Sequence, residues 1–277
     1  MIYQPMRIAN LFFALLLSAV SLLRAEEITT SDGQVYSTDT LRRSGNSILV
    51  KVTTPGGGFI ETGIPIKRIV KVSFAEPPEF AKATAAAAAC NTTEVLALTE
   101  DYVSKQADFR DLPGSLWLKM ATMRLLALAS AGKDTEASAL ADRIGSLQTP
   151  GASSLARGGT LFGPLAAGDT AAVLLVANNM TRIGGGDGSA LAQLALGRAL
   201  LLKKEYTGAL RAFLTVKVFY PSVRLLQPAV LLGASSAYIG INDNKRAIQS
   251  LREITDDYPD SFQVPEAKKR TDELSKS

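Results

Sequence analysis

Histidine is missing from all 277 residues. Chemistry that runs through an imidazole is therefore excluded: Ser-His-Asp and Cys-His nucleophile activation, and most catalytic zinc sites. Cysteine occurs once, at Cys90, so no intramolecular disulfide can form. That thiol follows the run Ala85 to Ala89, where it reads as a small buried side chain with no cation close in sequence to lower its pKa. Tryptophan also occurs once, and aromatic residues make up only 6% of the chain, while 47% is hydrophobic and 20% charged. That balance is globular and excludes disordered or collagenous classes.

Long apolar runs are scarce as well. The stretch from Ile8 to Leu23 is 16 residues without a charge, short of the roughly 20 that a spanning helix needs. With Arg7 before it and the small Ala25 just ahead of Glu26 and Glu27, residues 1–25 read as a secretory signal. An uncleaved anchor is the alternative. The expectation is an exported protein, periplasmic or extracellular. Arg7 and Arg24 leave with the signal and no acid does, which lowers the net charge from +4 to +2. The cations are spread among acids, unlike the clustered face of a nucleic-acid binder.

Two periodicities divide the chain beyond the signal. From Ile28 to Phe74 apolar residues alternate, as in Ile48-Val50-Val52 and Val70-Val72-Phe74. Turn signals at Ser31-Asp32-Gly33, Gly45-Asn46 and Pro55 to Gly58 cut this region into about five short strands. So few residues favour a small curled barrel, and the tight turn Pro65-Ile66-Lys67-Arg68 before the last strand resembles SH3-like barrels. This is the domain expected over 26–76. After Pro77-Pro78 the spacing changes to three and four, and residues 77–277 read as helix broken at Gly132-Lys133-Asp134, Ala167-Gly168-Asp169, Gly184 to Gly188 and Ile241-Asn242-Asp243, among other places. The expected class is α+β, mainly α.

Shifting the carboxy-terminal part by 38 residues aligns Ala209 with Ala247, Tyr220 with Tyr258 and Pro221 with Pro259, and sets Gly197 on Ser235. Each unit is two helices and a turn, which cannot bury its own apolar face and must stack on a neighbour. Residues 190–223 and 228–261 resemble the tetratricopeptide repeat, a helix-turn-helix unit of about 34 residues. The family's small residue falls on Gly197 and Ser235, its alanine on Ala209 and Ala247, its aromatic on Phe213, and its proline on Pro221 and Pro259. Leu251 stands where the aromatic is usual, and Arg224 to Gln227 lengthen the connection between units. A weaker unit lies at Leu118 to Gly151, Asp169 to Arg182 supplies the second helix of another, and 262–275 reads as a charged, solvated cap.

The resemblance implies an α-helical solenoid that binds an extended peptide or partner helix on a concave surface lined by the first helices. Mapped onto this chain, those positions are Leu194, Arg198 and Leu201 in one unit and Leu232, Ser236 and Ile239 in the next. Arg198, a lone cation in an apolar helix, suits a partner carboxylate; the competing assignment is an internal salt bridge. Gly184 to Ser189 lacks the Gly-Lys-Ser/Thr ending of a phosphate loop, and Asp256-Asp257 lacks the alternation of a calcium loop. No cofactor or metal is expected. The function expected is a non-catalytic exported adaptor in a cell-envelope process, with a histidine-independent enzyme and a self-associating assembly protein as alternatives.

Overall fold

The computed structural model describes residues 25–37, 41–54, 57–180 and 186–276. The signal expected at 1–25 lies outside them except for Ala25, the first residue of β1, as do Pro55-Gly56 and Gly184-Gly185. Among the described residues no helix is long and apolar enough to cross a membrane.

Among the described residues six strands form the amino-terminal unit: β1 (Ala25–Thr30), β2 (Val35–Ser37), β3 (Arg42–Ser44), β4 (Ser47–Thr53), β5 (Phe59–Pro65) and β6 (Ile69–Phe74). They pair antiparallel in two three-stranded sheets, ordered β2-β1-β6 and β3-β4-β5. The alternation places one face of each sheet inward, with Ile28 opposite Val72 and Ile48 opposite Ile64 around a shared core. The small curled barrel expected here is present as two sheets that do not close on each other, since no described strand pairs across from one sheet to the other. Three-residue strands such as β2 and β3 are too short to tilt and stagger as closure demands. The tight turn before β6 is a single 3₁₀ turn, Ile66–Arg68.

Beyond β6 the described residues form twelve helices: α1 (Pro78–Ala88), α2 (Thr92–Lys105), α3 (Trp117–Ser130), α4 (Asp134–Gly145), α5 (Ala152–Gly159), α6 (Phe162–Ala166), α7 (Thr170–Met180), α8 (Asp187–Leu202), α9 (Tyr206–Phe219), α10 (Gln227–Gly240), α11 (Asn244–Asp257) and α12 (Val264–Ser275). Five hairpins recur, α1/α2, α3/α4, α6/α7, α8/α9 and α10/α11, each joined by three residues with a left-handed residue in the middle. Those residues are Cys90, Gly132, Gly168, Lys204 and Asn242, at separations of 42, 36, 36 and 38. In every case the next residue (Asn91, Lys133, Asp169, Glu205 or Asp243) donates its N–H to a carbonyl five positions back, at 2.9 or 3.0 Å. This is the Schellman arrangement, which satisfies the orphan carbonyls of a helix end and reverses the chain.

Burial repeats with the turn. Seven residues before the left-handed position stand Ala83, Leu125, Leu161, Gly197 and Ser235, all buried. Five after it stand Val95, Ala137, Val173, Ala209 and Ala247, and nine after it Thr99, Ala141, Ala177, Phe213 and Leu251, again all buried. One hydrophobic core runs through the array from Ala83 to Ala237, with a smaller cluster joining Leu231, Leu251, Ile254 and Ala267 at the carboxy-terminal end.

Close helix contacts are made at glycine. A methyl on Gly197 would meet the Phe213 ring at 2.6 Å, and one on Gly233 would meet it at 2.4 Å, so this ring of α9 is gripped between α8 and α10. The helix expected from Ala190 starts earlier, at Asp187, because Gly188 belongs to the packing: a methyl there would lie 2.2 Å from the Ser154 carbonyl of α5. The β unit docks on the loop between α2 and α3. Leu112 enters its core, Val72 donates its N–H to the Pro113 carbonyl at 3.1 Å, and Arg43 grips both oxygens of Asp111.

Candidate functional site

Three of the first helices, α3, α8 and α10, converge with α12 on a recess of about 170 Å³. Four of the six residues expected on the inner surface line it: Arg198, Leu201, Leu232 and Ser236. They meet because Arg198 and Leu201 share the last turns of α8, while Leu232 and Ser236 lie one turn apart on α10. Of the other two, Leu194 is fully buried one turn deeper in α8, and Ile239 is half-buried and does not line the recess.

Arg198 is anchored from behind. Its Nη1 donates to Asp134 Oδ1 at 2.9 Å, its Nη2 donates to the Ala129 carbonyl at 2.7 Å, and the guanidinium lies 5.8 Å from the Phe162 ring centre. The internal salt bridge is therefore present, and it ties α8 to the α3/α4 turn. Burial pushes Arg198 below its ordinary pKa, against the pull of Asp134. The Asp134 carboxyl is pushed up by the same burial, with Arg198 opposing.

Two contributors come from beyond α10. Arg270 of α12 donates from Nε to Glu266 at 2.6 Å and from Nη1 to the Ser236 hydroxyl oxygen at 2.8 Å. The hydrogen bond from Arg270 holds the exposed Glu266 carboxyl below its ordinary value. Gln263, buried just ahead of α12, donates from Nε2 to the Ser130 carbonyl at 2.8 Å and to its hydroxyl oxygen at 3.3 Å. Its Oε1 is buried and meets no donor among the described residues. Among the described residues no carboxylate belongs to the lining.

Sequence reasoning missed Gln263 and Arg270, because 262–275 carries enough Lys and Glu to look like a solvated cap, and Ser130, whose place as the last residue of α3 carries no local signal. The one signal in 262–275 was Val264-Pro265, a proline early in a helix with a polar residue before it.

Other candidates resolve into structure. Gly188 packs on α5, a methyl there meeting the Ser154 carbonyl. Asp256 and Asp257 are exposed, and among the described residues no three His, Cys, Asp or Glu side chains cluster as metal ligands would. Cys90 is fully buried, with its thiol donating to the Arg224 carbonyl at 3.3 Å, and burial raises its pKa. Trp117 is core, its indole N–H donating to the Val103 carbonyl at 2.9 Å. No protein-family model matches the chain, and neither does any curated protein.

Proposed function

We propose that this chain is a non-catalytic adaptor that binds a protein or peptide partner on the inner face of its helical array. The five hairpins with their common turn support treating that array as a tetratricopeptide-like solenoid, with the two small sheets an open relative of SH3-like barrels. The pattern of residues 1–25 supports export and a role in a cell-envelope process. One observation carries the proposal: Arg198, Leu201, Leu232 and Ser236, from two different helices, share one recess whose lining combines apolar walls with polar groups.

Site-specific photocrosslinking in the native host tests it. A benzoylphenylalanine at Leu201 or Leu232, both half-buried at the recess, should trap one defined polypeptide, while the same group at the exposed Lys268 of α12 should not. Equal labelling from all three positions, or none from the recess, would overturn the adaptor assignment.

A further inference from the structure

We propose that β5 is a dimerisation edge, which takes the β5 of a second copy antiparallel about a two-fold axis at Thr62. Among the described residues the strand has β4 as its one sheet neighbour, and Phe59 to Gly63 are all exposed. Which main-chain groups face the free side follows from the two ends of the β4/β5 ladder. Thr54 donates its N–H to the Gly58 carbonyl at 2.8 Å, and Ile66 donates to the Asn46 carbonyl at 2.9 Å. Bonds toward one neighbour recur at every second residue. Ile60, Thr62 and Ile64 therefore turn their main chain to β4, while Phe59, Glu61 and Gly63 turn theirs outward. Pro65 falls in the outward set, where its missing N–H costs the β4 ladder nothing. The other edges of the β unit are managed. The loop after α2 lies along β6, with the Pro113 carbonyl accepting from the Val72 N–H and Gly114 close on the Val72 carbonyl, and β2 and β3 are three residues long. Among the described residues β5 is thus the one long edge without cover, and it carries Phe59 and Ile60, 71% and 60% exposed.

A second copy is the occupant that the order of residues in this strand fits. Pairing about Thr62 sets Thr62 against its own counterpart, and Ile60, Glu61 and Phe59 against Ile64, Gly63 and Pro65 of the second copy. Each pairing repeats on the other side of the axis, as an isologous interface requires. Ile60 then meets an isoleucine that already belongs to a core, so the inner face runs Val52, Ile60, Ile64, Ile48 across four strands without a break. The charges agree as well. Glu61 is paired within its own chain to Arg42 and lies opposite Lys51, so no like charges are opposed across the axis. One strand pair makes an interface below the standard size of about 1,600 Å², so the dimer is expected to be reversible. It rests on the β unit alone, and its failure would leave the adaptor assignment untouched.

Sedimentation velocity of the intact purified chain, over a dilution series up to about 1 mM, should show a reversible monomer–dimer equilibrium. Gly63→Pro removes an outward N–H and leaves the β4 ladder whole, so it should weaken the dimer at least tenfold with the urea midpoint little changed. Ile60→Lys alters no main-chain group and should weaken the dimer as much; it decides the matter if Gly63→Pro fails to fold. Cysteine reads the register. In Thr62→Cys the two thiols face each other at a pair without main-chain bonds, where Cα atoms lie about 4.5 Å apart and a disulfide fits. Mild oxidation should link that dimer, since Cys90 is fully buried and leaves the new thiol to react. In Glu61→Cys the thiols are diagonal, about 7–8 Å apart, and should link at least tenfold more slowly. A monomer at every concentration, a dimer untouched by both Gly63→Pro and Ile60→Lys, or equal linkage from the two cysteine variants overturns the edge pairing. A chain that stays monomeric while an added polypeptide from the photocrosslinks protects the Glu61 and Gly63 amides from exchange gives the edge to a foreign strand, which also overturns it.

Discussion

Arg198 occupies a helix that is apolar nearly all round, and Asp134 is the residue that makes it tolerable there. Both side chains are about four-fifths covered, at 22% and 19% exposure, so each charge has lost water that the other only partly replaces. The sign of that balance is visible in Asp134, where burial outweighs the attraction and raises the pKa. A carboxyl whose folded value stands above its unfolded value of about 3.9 favours folding most below that value and loses this contribution as pH rises through the folded pKa. Asp134→Asn has no such titration. In urea unfolding followed from pH 4 to 7, the midpoint of Asp134→Asn relative to wild type should therefore rise with pH; a difference that stays flat or falls would contradict the assignment. A charge standing alone in an apolar helix was legible from sequence. Its partner, 64 residues earlier and in a different hairpin, was not, because nothing local distinguishes Asp134 from any acid in the first turn of a helix.

Helix hairpins here are defined by their turns more than by their residues. The same left-handed position holds glycine twice, but cysteine, lysine and asparagine elsewhere. For a side chain with a β-carbon that conformation costs roughly 1–2 kcal/mol, least for asparagine. Lys204→Gly should thus stabilise the chain by about 0.5–1 kcal/mol, and Gly168→Ala, with φ of 74° and open space around it, should destabilise it by a similar amount. Chemical denaturation of the two variants measures both, and the same sign for both would show that backbone strain is not what separates them. The 38-residue shift exposed only the last two hairpins because only their turns lie 38 apart, the others being 42, 36 and 36 apart. Those two retain alanine at matching places, whereas the earlier ones carry Ala83, Leu125 and Leu161 where the later ones carry Gly197 and Ser235. What recurs throughout is burial, and burial is a property of the folded chain that letter-by-letter comparison cannot see.

Two regions with different periods were visible in the sequence, yet the change at Pro77-Pro78 does not mark a physical independence. The β unit completes its core with Leu112 from the helical region, with Phe109 packed alongside. Arg43 fastens the two regions by a paired hydrogen bond to Asp111 and a further one to the Asp108 carbonyl at 2.6 Å. Arg43→Ala should cost about 1–3 kcal/mol. Amide exchange at Val72, whose N–H is held by the Pro113 carbonyl, should speed up about tenfold or more, the equivalent of 1.4 kcal/mol. Unchanged protection at Val72 would mean that Arg43 is not what fastens the two regions. Neither this latch nor the tie from Gln263 to Ser130 could be foreseen, since each joins positions far apart in sequence through side chains common on any surface.

The carboxy-terminal half is also fastened to the amino-terminal hairpins. Arg224 donates from Nε to the Ala88 carbonyl at 3.0 Å, its own carbonyl accepts from Cys90, and Gln263 reaches back to the end of α3. A stack of hairpins free at both ends can stretch and coil like a spring, and its inner diameter then adapts to whatever it holds. These cross-links remove that compliance. On the adaptor function proposed above, a guest would have to suit a recess whose width was set when the chain folded, so selection would fall on the size and chemistry of the guest and not on the reach of the host.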